Sequence, residues 1–195
     1  MKKGQRQNKM QKIKQAGFTL VETLVAISIL TLSIVATFTA VQNGIQNSTI
    51  AKDQTTAFYL AQEAMEFIKN KRDENALKSI SGETNNWLTK LSFEPNDPCY
   101  FGRACRVDLT ANNNDEIVYC GSNNFSDCPV LNQNTVTSLF GYSSDADWEP
   151  SIFKRGIKFR EISSGTEVEV TIEMSWTSRW GTKSFQVTEI LLNRQ

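Results

Sequence analysis

The chain has 195 residues, with 21 basic and 21 acidic residues and no histidine. All six charges among residues 1–17 are positive, so the remainder carries 15 basic against 21 acidic residues, a balance of −6. A mildly acidic remainder offers no bulk-charge attraction for nucleic acid. The lack of histidine removes the commonest general base and metal ligand.

Residues 1–17 form a basic leader that ends in Gly17, where an apolar run begins. An ordinary secretory signal has a small-x-small cleavage site after an apolar run of about 7–15 residues. Here the small residue precedes the run, and the run is longer. A plain signal anchor would explain the hydrophobicity alone, but it leaves the carboxylate of Glu22 unexplained.

Residues 18–42 are predicted to span a membrane as a helix. The apolar part, residues 18–41, is 24 residues long. As a helix it would span about 36 Å, enough for a hydrocarbon core of about 30 Å. The positive-inside bias keeps the basic N-terminus in the cytoplasm and exports the C-terminal part. We expect the Ser and Thr hydroxyls of this segment to bond back to the helix backbone.

Glu22 is the one charged residue of this segment. A carboxylate costs about 2.5–3.5 kcal/mol near the centre of a membrane, and less near an interface. If the chain were cut after Gly17, Phe18 would carry a new α-amine one helical turn before Glu22. An amine of the same chain or of a neighbour would offset part of that cost, and an intermolecular pair would set the axial register between subunits.

Together these features resemble the class III signal peptide of type IV prepilins, over residues 14–40. The motif consists of Gly17, Phe18, Thr19, Leu20, Val21 and Glu22. The resemblance implies that a prepilin peptidase cleaves between Gly17 and Phe18 and N-methylates Phe18, and that Glu22 acts in assembly. It implies other pilin subunits and an inner-membrane assembly platform as partners, and no cofactor.

The same resemblance implies a single-pass protein of the inner or cytoplasmic membrane, which later enters a cell-surface pilus or a periplasmic pseudopilus. Two further stretches, residues 57–66 and 168–177, are similar to V-type minor pilins and to I-type pseudopilins of type II secretion. Many major pilins have Gly and Pro within the membrane helix, whereas this chain has neither between Phe18 and Asn43. This difference favours a minor pilin.

Residues 43–76 are predicted to continue the helix as an amphipathic half that ends near Asn75. Apolar residues recur at helical spacing along it, which predicts one face packed against a sheet. They are Ile50, Ala57, Leu60, Ala61, Ala64, Met65 and Ile68.

Residues 77–150 have the composition of loops with short strands. A short hairpin is predicted between residues 107–109 and 117–120, across the Asn-rich run at 112–115. The region contains all four cysteines of the chain: Cys99, Cys105, Cys120 and Cys128. An even number of exported cysteines indicates disulfides, with three possible pairings. The preferred pairing joins Cys99 to Cys105 and Cys120 to Cys128, because it closes two small local loops.

No metal site is expected. A four-cysteine zinc site is the rival to the disulfides, but the spacings lack a CxxC knuckle. Asp145, Asp147 and Glu149 alternate as in a calcium loop, but the central Gly and the acidic twelfth ligand are missing.

Residues 151–195 are predicted to form a three-stranded antiparallel meander with one buried and one wet face. Its strands lie around residues 157–162, 168–174 and 185–190, with turns at 163–165 and 179–181. Because no helix connects these strands, the predicted fold class is α+β. The expected arrangement is pilin-like, with a long N-terminal helix packed on a C-terminal antiparallel sheet.

The sequence contains no Ser or Cys triad and no Gly-rich phosphate loop, so no enzyme activity is expected. The favoured hypothesis is a minor pilin that is incorporated into a type IV pilus or primes it. The alternatives are a type II secretion pseudopilin and an adhesive or DNA-binding tip subunit. One group combines aromatic and basic residues near a turn, and aromatic packing is preferred over DNA binding for it. Its members are Trp176, Arg179, Trp180 and Lys183.

Overall fold

The computed structural model describes residues 17–111 and 116–193. The basic leader up to residue 16 and the Asn-rich turn at 112–115 therefore lie outside the described residues. The chain divides into two compact units, with the boundary between Ile50 and Ala51. Helix α1, Leu20–Ile80, contributes to both units.

Helix α1 ends at Ile80, five residues beyond the end predicted near Asn75. The predicted end was therefore five residues early. Asn75 lies inside the helix, and its buried side chain donates through Nδ2 to the carbonyl oxygens of Trp87 (3.3 Å) and Thr89 (2.8 Å). The helix stops where Gly82 adopts a φ of 92°, a left-handed conformation that favours glycine.

Seven strands of the second unit form one antiparallel sheet within the described residues. They are β1 Cys105–Val107, β2 Ile117–Tyr119, β3 Val130–Asn134, β4 Phe140–Gly141, β5 Trp148–Ser163, β6 Glu167–Ser178 and β7 Gly181–Leu192. The long strand β5 is central. One of its edges pairs with β6, and the other pairs with β3 and, at Ile157, with β1.

The predicted C-terminal meander corresponds to β5, β6 and β7, and the antiparallel pairing of these strands is confirmed. Strand β5 begins earlier than predicted, at Trp148. Its first half contains Pro150, which sequence reasoning takes as a sign against a strand. In the structure Pro150 lies opposite Asn132 of β3.

The predicted short hairpin forms, but two residues out of position on its first strand. Cys105, Arg106 and Val107 pair with residues 117–119, rather than the segment 107–109. Strand β1 ends at Val107, and the carboxylate of Asp108, the next residue, accepts hydrogen bonds from the backbone N–H of Thr110 (2.9 Å) and of Tyr142 (3.0 Å).

The apolar stripe of α1 packs against the sheet, as predicted. Six of its seven residues are buried: Ala57, Leu60, Ala61, Ala64, Met65 and Ile68. They share one core with the inward residues of β6, where Val168, Val170, Ile172 and Met174 alternate with half-buried neighbours. At the edge of this contact, Lys69 Nζ lies 2.9 Å from Glu189 Oε2 on β7, and this hydrogen bond raises the pKa of Lys69.

A buried arginine joins α1, β1 and β5. The side chain of Arg155, on β5, is 0% exposed. Its Nη1 donates to the carbonyl oxygen of Leu60 (2.7 Å) and to Oε2 of Glu63 (3.1 Å), both on α1. Its Nη2 donates to the carbonyl oxygen of Val107 (2.7 Å). These bonds offset the cost of removing the guanidinium from water.

Two disulfides close short loops beside the sheet. One joins Cys99 to Cys105, with the Cα atoms 5.1 Å apart, and the other joins Cys120 to Cys128, with the Cα atoms 4.7 Å apart. These are the nearest-neighbour pairs preferred from the sequence. Gly156 of β5 lies under the second loop, where an added Cβ would come within 3.3 Å of Cys128 Sγ.

Replacement of Arg155 by leucine is expected to lower the free energy of unfolding by about 2–4 kcal/mol, since it leaves buried carbonyl groups without a donor. The matched control is Arg160→Leu on the same strand, because Arg160 pairs with Glu169 at the exposed surface. That variant should change stability by about 1 kcal/mol or less. Urea unfolding of the detergent-solubilised chain, followed by tryptophan fluorescence, measures both. Equal losses would contradict the role assigned to Arg155.

Candidate functional site

The candidate site is the start of helix α1, where Thr19 is the residue before the first helical turn. The backbone N–H of Glu22 donates to Thr19 Oγ1 (3.3 Å), and the N–H of Thr23 donates to the Thr19 carbonyl oxygen (3.2 Å). This is the geometry of an N-cap, with a glutamate three residues later as in a capping box. The motif of residues 17–22 therefore also contains a helix-start signal.

Glu22 places a carboxylate in the first turn of α1. The unpaired N–H groups there give the helix end a partial positive charge, which stabilises a nearby anion. Within the described part of the chain, Glu22 forms no ion pair. Its neighbour Phe18 is 80% exposed. The carboxylate and the first residue after Gly17 are therefore both accessible to another molecule.

Gly17 has no structural need to be glycine in the described chain. A Cβ added there meets no atom within 4 Å, and its φ lies outside the left-handed region. None of the described residues therefore requires glycine at this position.

The first half of α1 exposes apolar side chains on every side. The large ones between Leu20 and Ile45 are each more than half exposed: Leu20, Val21, Leu24, Val25, Ile27, Ile29, Leu30, Leu32, Ile34, Val35, Phe38, Val41 and Ile45. The helix is long and apolar enough to cross a membrane. A helix that is apolar all round requires an apolar environment of lipid or of other helices.

The hydroxyl groups along this apolar surface are satisfied by the helix itself, as expected from the sequence. All six Ser and Thr side chains between Thr23 and Thr39 donate to a carbonyl oxygen three or four residues earlier, at 2.8–3.1 Å. These bonds make the hydroxyls tolerable without water.

The aromatic and basic group near the last turn does not form one surface. Trp176 is buried and packs edge-to-face on Phe185, with ring centroids 6.0 Å apart. Trp180 is 40% exposed, and the guanidinium of Arg179 lies 5.6 Å from the centroid of its ring. Of these two tryptophans, only Trp180 therefore has a ring face exposed for base stacking.

Across residues 17–111 and 116–193, no group of three or more Cys, Asp or Glu side chains is close enough to hold a metal ion. The four cysteines are all in disulfides. Asp145 Oδ2 instead accepts a hydrogen bond from Ser143 Oγ (2.8 Å).

Sequence reasoning assigned Gly17, Phe18 and Glu22 to one motif; in the structure Gly17 and Phe18 precede α1, and Glu22 lies in its first turn. It did not assign Thr19 its capping role, although the Thr-x-x-Glu spacing was a usable signal. It also missed Arg155. The alternation of side chains along a strand would have indicated that Arg155 is buried, because it lies two residues from each of the buried Phe153 and Ile157.

Residues 12–38 match the family model described as the prokaryotic N-terminal methylation motif. The match covers the end of the leader, the motif at 17–22 and most of the apolar run. No curated protein and no solved structure matches the chain significantly.

Replacing Thr19 with valine, which keeps the shape but removes the acceptor, should destabilise the first helical turn by about 1 kcal/mol. Amide exchange at Glu22 would then be about fivefold faster in micelles, as measured by NMR. Thr23→Val is the matched control, since the Thr23 hydroxyl only donates to a carbonyl oxygen of the helix. Unchanged exchange at Glu22 in Thr19→Val would argue against the cap.

Proposed function

We propose that this chain, which carries a type IV prepilin-like class III signal peptide, is a minor pilin. It would be a structural subunit, not an enzyme, that is incorporated into a type IV pilus or primes its assembly. In this proposal residues 1–17 are the leader, 18–42 the membrane and assembly half of the helix, and 43–76 its amphipathic half. Residues 77–150 and 151–195 are the cysteine-containing region and the C-terminal meander.

The observation that carries the proposal is the methylation motif at residues 12–38 on a helix that is apolar on all sides. Such a motif implies processing by a prepilin peptidase and assembly with other pilin subunits. The peptidase would cleave the bond between Gly17 and Phe18 and methylate the new α-amine of Phe18. The open surroundings of Gly17 support recognition by an external enzyme, because none of the residues that the structure describes requires glycine there.

Glu22 would act in assembly through its charge. Buried among apolar helices, its carboxylate would have few groups to pair with besides the Phe18 amine of a neighbouring subunit. That pair would fix how far one subunit is shifted along its neighbour. The position of Glu22 in the first helical turn, near the chain start that cleavage would create, supports this role.

The chain would first be a single-pass protein of the cytoplasmic membrane, with its N-terminus inside and its C-terminal unit exported. Two disulfides support export, because such bonds persist in oxidising compartments. Extraction from the bilayer by the inner-membrane assembly platform would then move the apolar half of α1 from lipid into the filament.

A type II secretion pseudopilin is the second candidate, with the same processing but a filament that stays in the periplasm. Residues 57–66 and 168–177 resemble both classes. Deletion of the gene separates the two, because loss of surface pili indicates a pilin and loss of secreted enzymes indicates a pseudopilin.

Processing predicts that the membrane-extracted protein starts at a methylated Phe18, whereas cells without prepilin peptidase retain the intact leader. Intact mass and N-terminal sequencing measure the start. Gly17→Val should block cleavage while leaving the fold of the chain unchanged, since the added side chain has open space.

The matched control for Gly17→Val is Gly44→Val, also on the first unit and also with open space around an added Cβ. It should be cleaved normally. An intact Met1 start in cells with and without the peptidase would overturn the pilin proposal and leave a signal-anchored protein.

Glu22→Gln should be cleaved like the natural chain but enter filaments at least about tenfold less, because the amide keeps the shape and loses the charge. Immunoblots of sheared filaments and of the membrane fraction measure incorporation. Glu66→Gln is the control, as Glu66 is an exposed carboxylate on the same helix. Normal incorporation of Glu22→Gln would contradict the charge-pairing role.

A further inference from the structure

Strand β7 is a long, regular edge of the sheet. It pairs with β6 over all twelve residues, from Gly181 to Leu192, without a bulge. Within the described residues no strand lies on its other side. The strand also contains no proline, so it lacks two of the features that keep an edge from pairing with another chain, a proline and a bulge.

The turn before β7 determines which of its backbone groups are free. Residues 179 and 180 form a two-residue loop between the paired residues Ser178 and Gly181. In such a hairpin the closing pair exchanges hydrogen bonds, and hydrogen-bonded pairs then recur at every second residue. The N–H and C=O groups of Ser184, Gln186 and Thr188 therefore point outward.

A groove of about 740 Å³ runs beside the first part of this edge, between β7 and helix α1. Phe58 and Tyr59 line it from the helix, and Trp176 and Phe185 line it from the sheet. Phe58 and Tyr59 are 54% and 64% exposed, unusual for side chains of this size on a packed helix. An apolar groove alongside a free strand edge suits an extended peptide, whose alternate side chains point into the groove.

The charge of the groove specifies the chemistry of its occupant. Lys183 is the one charged residue among those lining it. In the part of the chain that the structure describes, Lys183 has no ion-pair partner, whereas Lys69 further along the helix pairs with Glu189. A carboxylate on the bound molecule would therefore give Lys183 an ion-pair partner.

We propose that the β7 edge and this groove together bind an extended segment of a partner polypeptide, added as an eighth strand. The segment would place apolar side chains against Phe58 and Phe185 and an acidic side chain against Lys183. Backbone hydrogen bonds to residues such as Ser184 and Gln186 supply affinity, and the groove supplies specificity.

A second copy of this chain fits the groove less well. In antiparallel self-pairing centred on Gln186, Lys183 lies opposite the Glu189 of the second copy. That carboxylate lies 2.9 Å from Lys69 of its own chain. An ion pair between Lys183 and this Glu189 would therefore replace the ion pair between Glu189 and Lys69. The inferred surface belongs to the second unit alone and does not depend on the proposed role in a pilus.

Binding is measured by fluorescence anisotropy with the full chain in detergent micelles. The probe is a short synthetic peptide that alternates valine with threonine and has one central valine replaced by glutamate. We expect saturable binding. Lys183→Glu should weaken it at least about tenfold and make the chain prefer the same peptide with lysine in place of glutamate. Lys90→Glu, which changes an exposed lysine outside the groove, should bind like the natural chain.

A second probe keeps the protein unchanged. The glutamate peptide methylated at alternate backbone amides should lose binding, because it cannot form the ladder with β7. Equal binding of the methylated peptide, no effect of Lys183→Glu, or the absence of saturable binding would each overturn the proposal. A dimer of the chain in light scattering that Lys183→Glu abolishes would also overturn it, since the occupant would then be a second copy.

Discussion

The constraint on which the rest depends is the apolar surface of the first half of α1, which has no partner among the described residues. Moving one large apolar side chain out of water contributes about 1.5–3 kcal/mol. More than a dozen such side chains therefore make a water-exposed state of this helix untenable. Lipid and a bundle of similar helices both satisfy the constraint, so the same surface would serve both the anchored and the assembled state of the proposed function. Glu22 is the one charged side chain among residues 18–42 and so distinguishes one end of this surface from the rest.

The second unit is stabilised by contacts within itself. Its core joins one stripe of α1 to one face of the sheet. Arg155 adds directional bonds from β5 to the helix and to β1, which a purely apolar contact would lack. The disulfides then hold a region of short strands whose own apolar content is small. In the proposed function, this division would let the first half of the helix move from lipid into a filament while the second half remains part of its own domain.

Much of this arrangement could be predicted from periodicity. The helix stripe from Ala57 to Ile68 and the alternation along β6 are strong patterns, since burial on one side follows directly from helical or strand spacing. Strands β3 and β4 were not predicted, because only Leu131 and Gly141 in them are buried and no alternation results.

For the candidate site, the positions of Gly17 and Glu22 follow from a local motif, so sequence suffices. The groove beside β7 could not be predicted in this way. It exists because Phe58 of the helix and Phe185 of the last strand are brought together across more than a hundred residues of chain, and neither residue has a local signal of that contact. The partners of Arg155 illustrate the same limit, because strand alternation could indicate that Arg155 is buried but not that it bonds to α1 and β1.

The internal bonding of the hydroxyls in the first half of α1 has a mechanical consequence. Because all six donate to their own helix, this surface offers neighbouring helices no hydroxyl donor. Contacts between such surfaces are dispersive and non-directional, so small sliding movements break no hydrogen bond. In the proposed filament, helices with such surfaces would slide past one another without breaking a hydroxyl hydrogen bond between subunits.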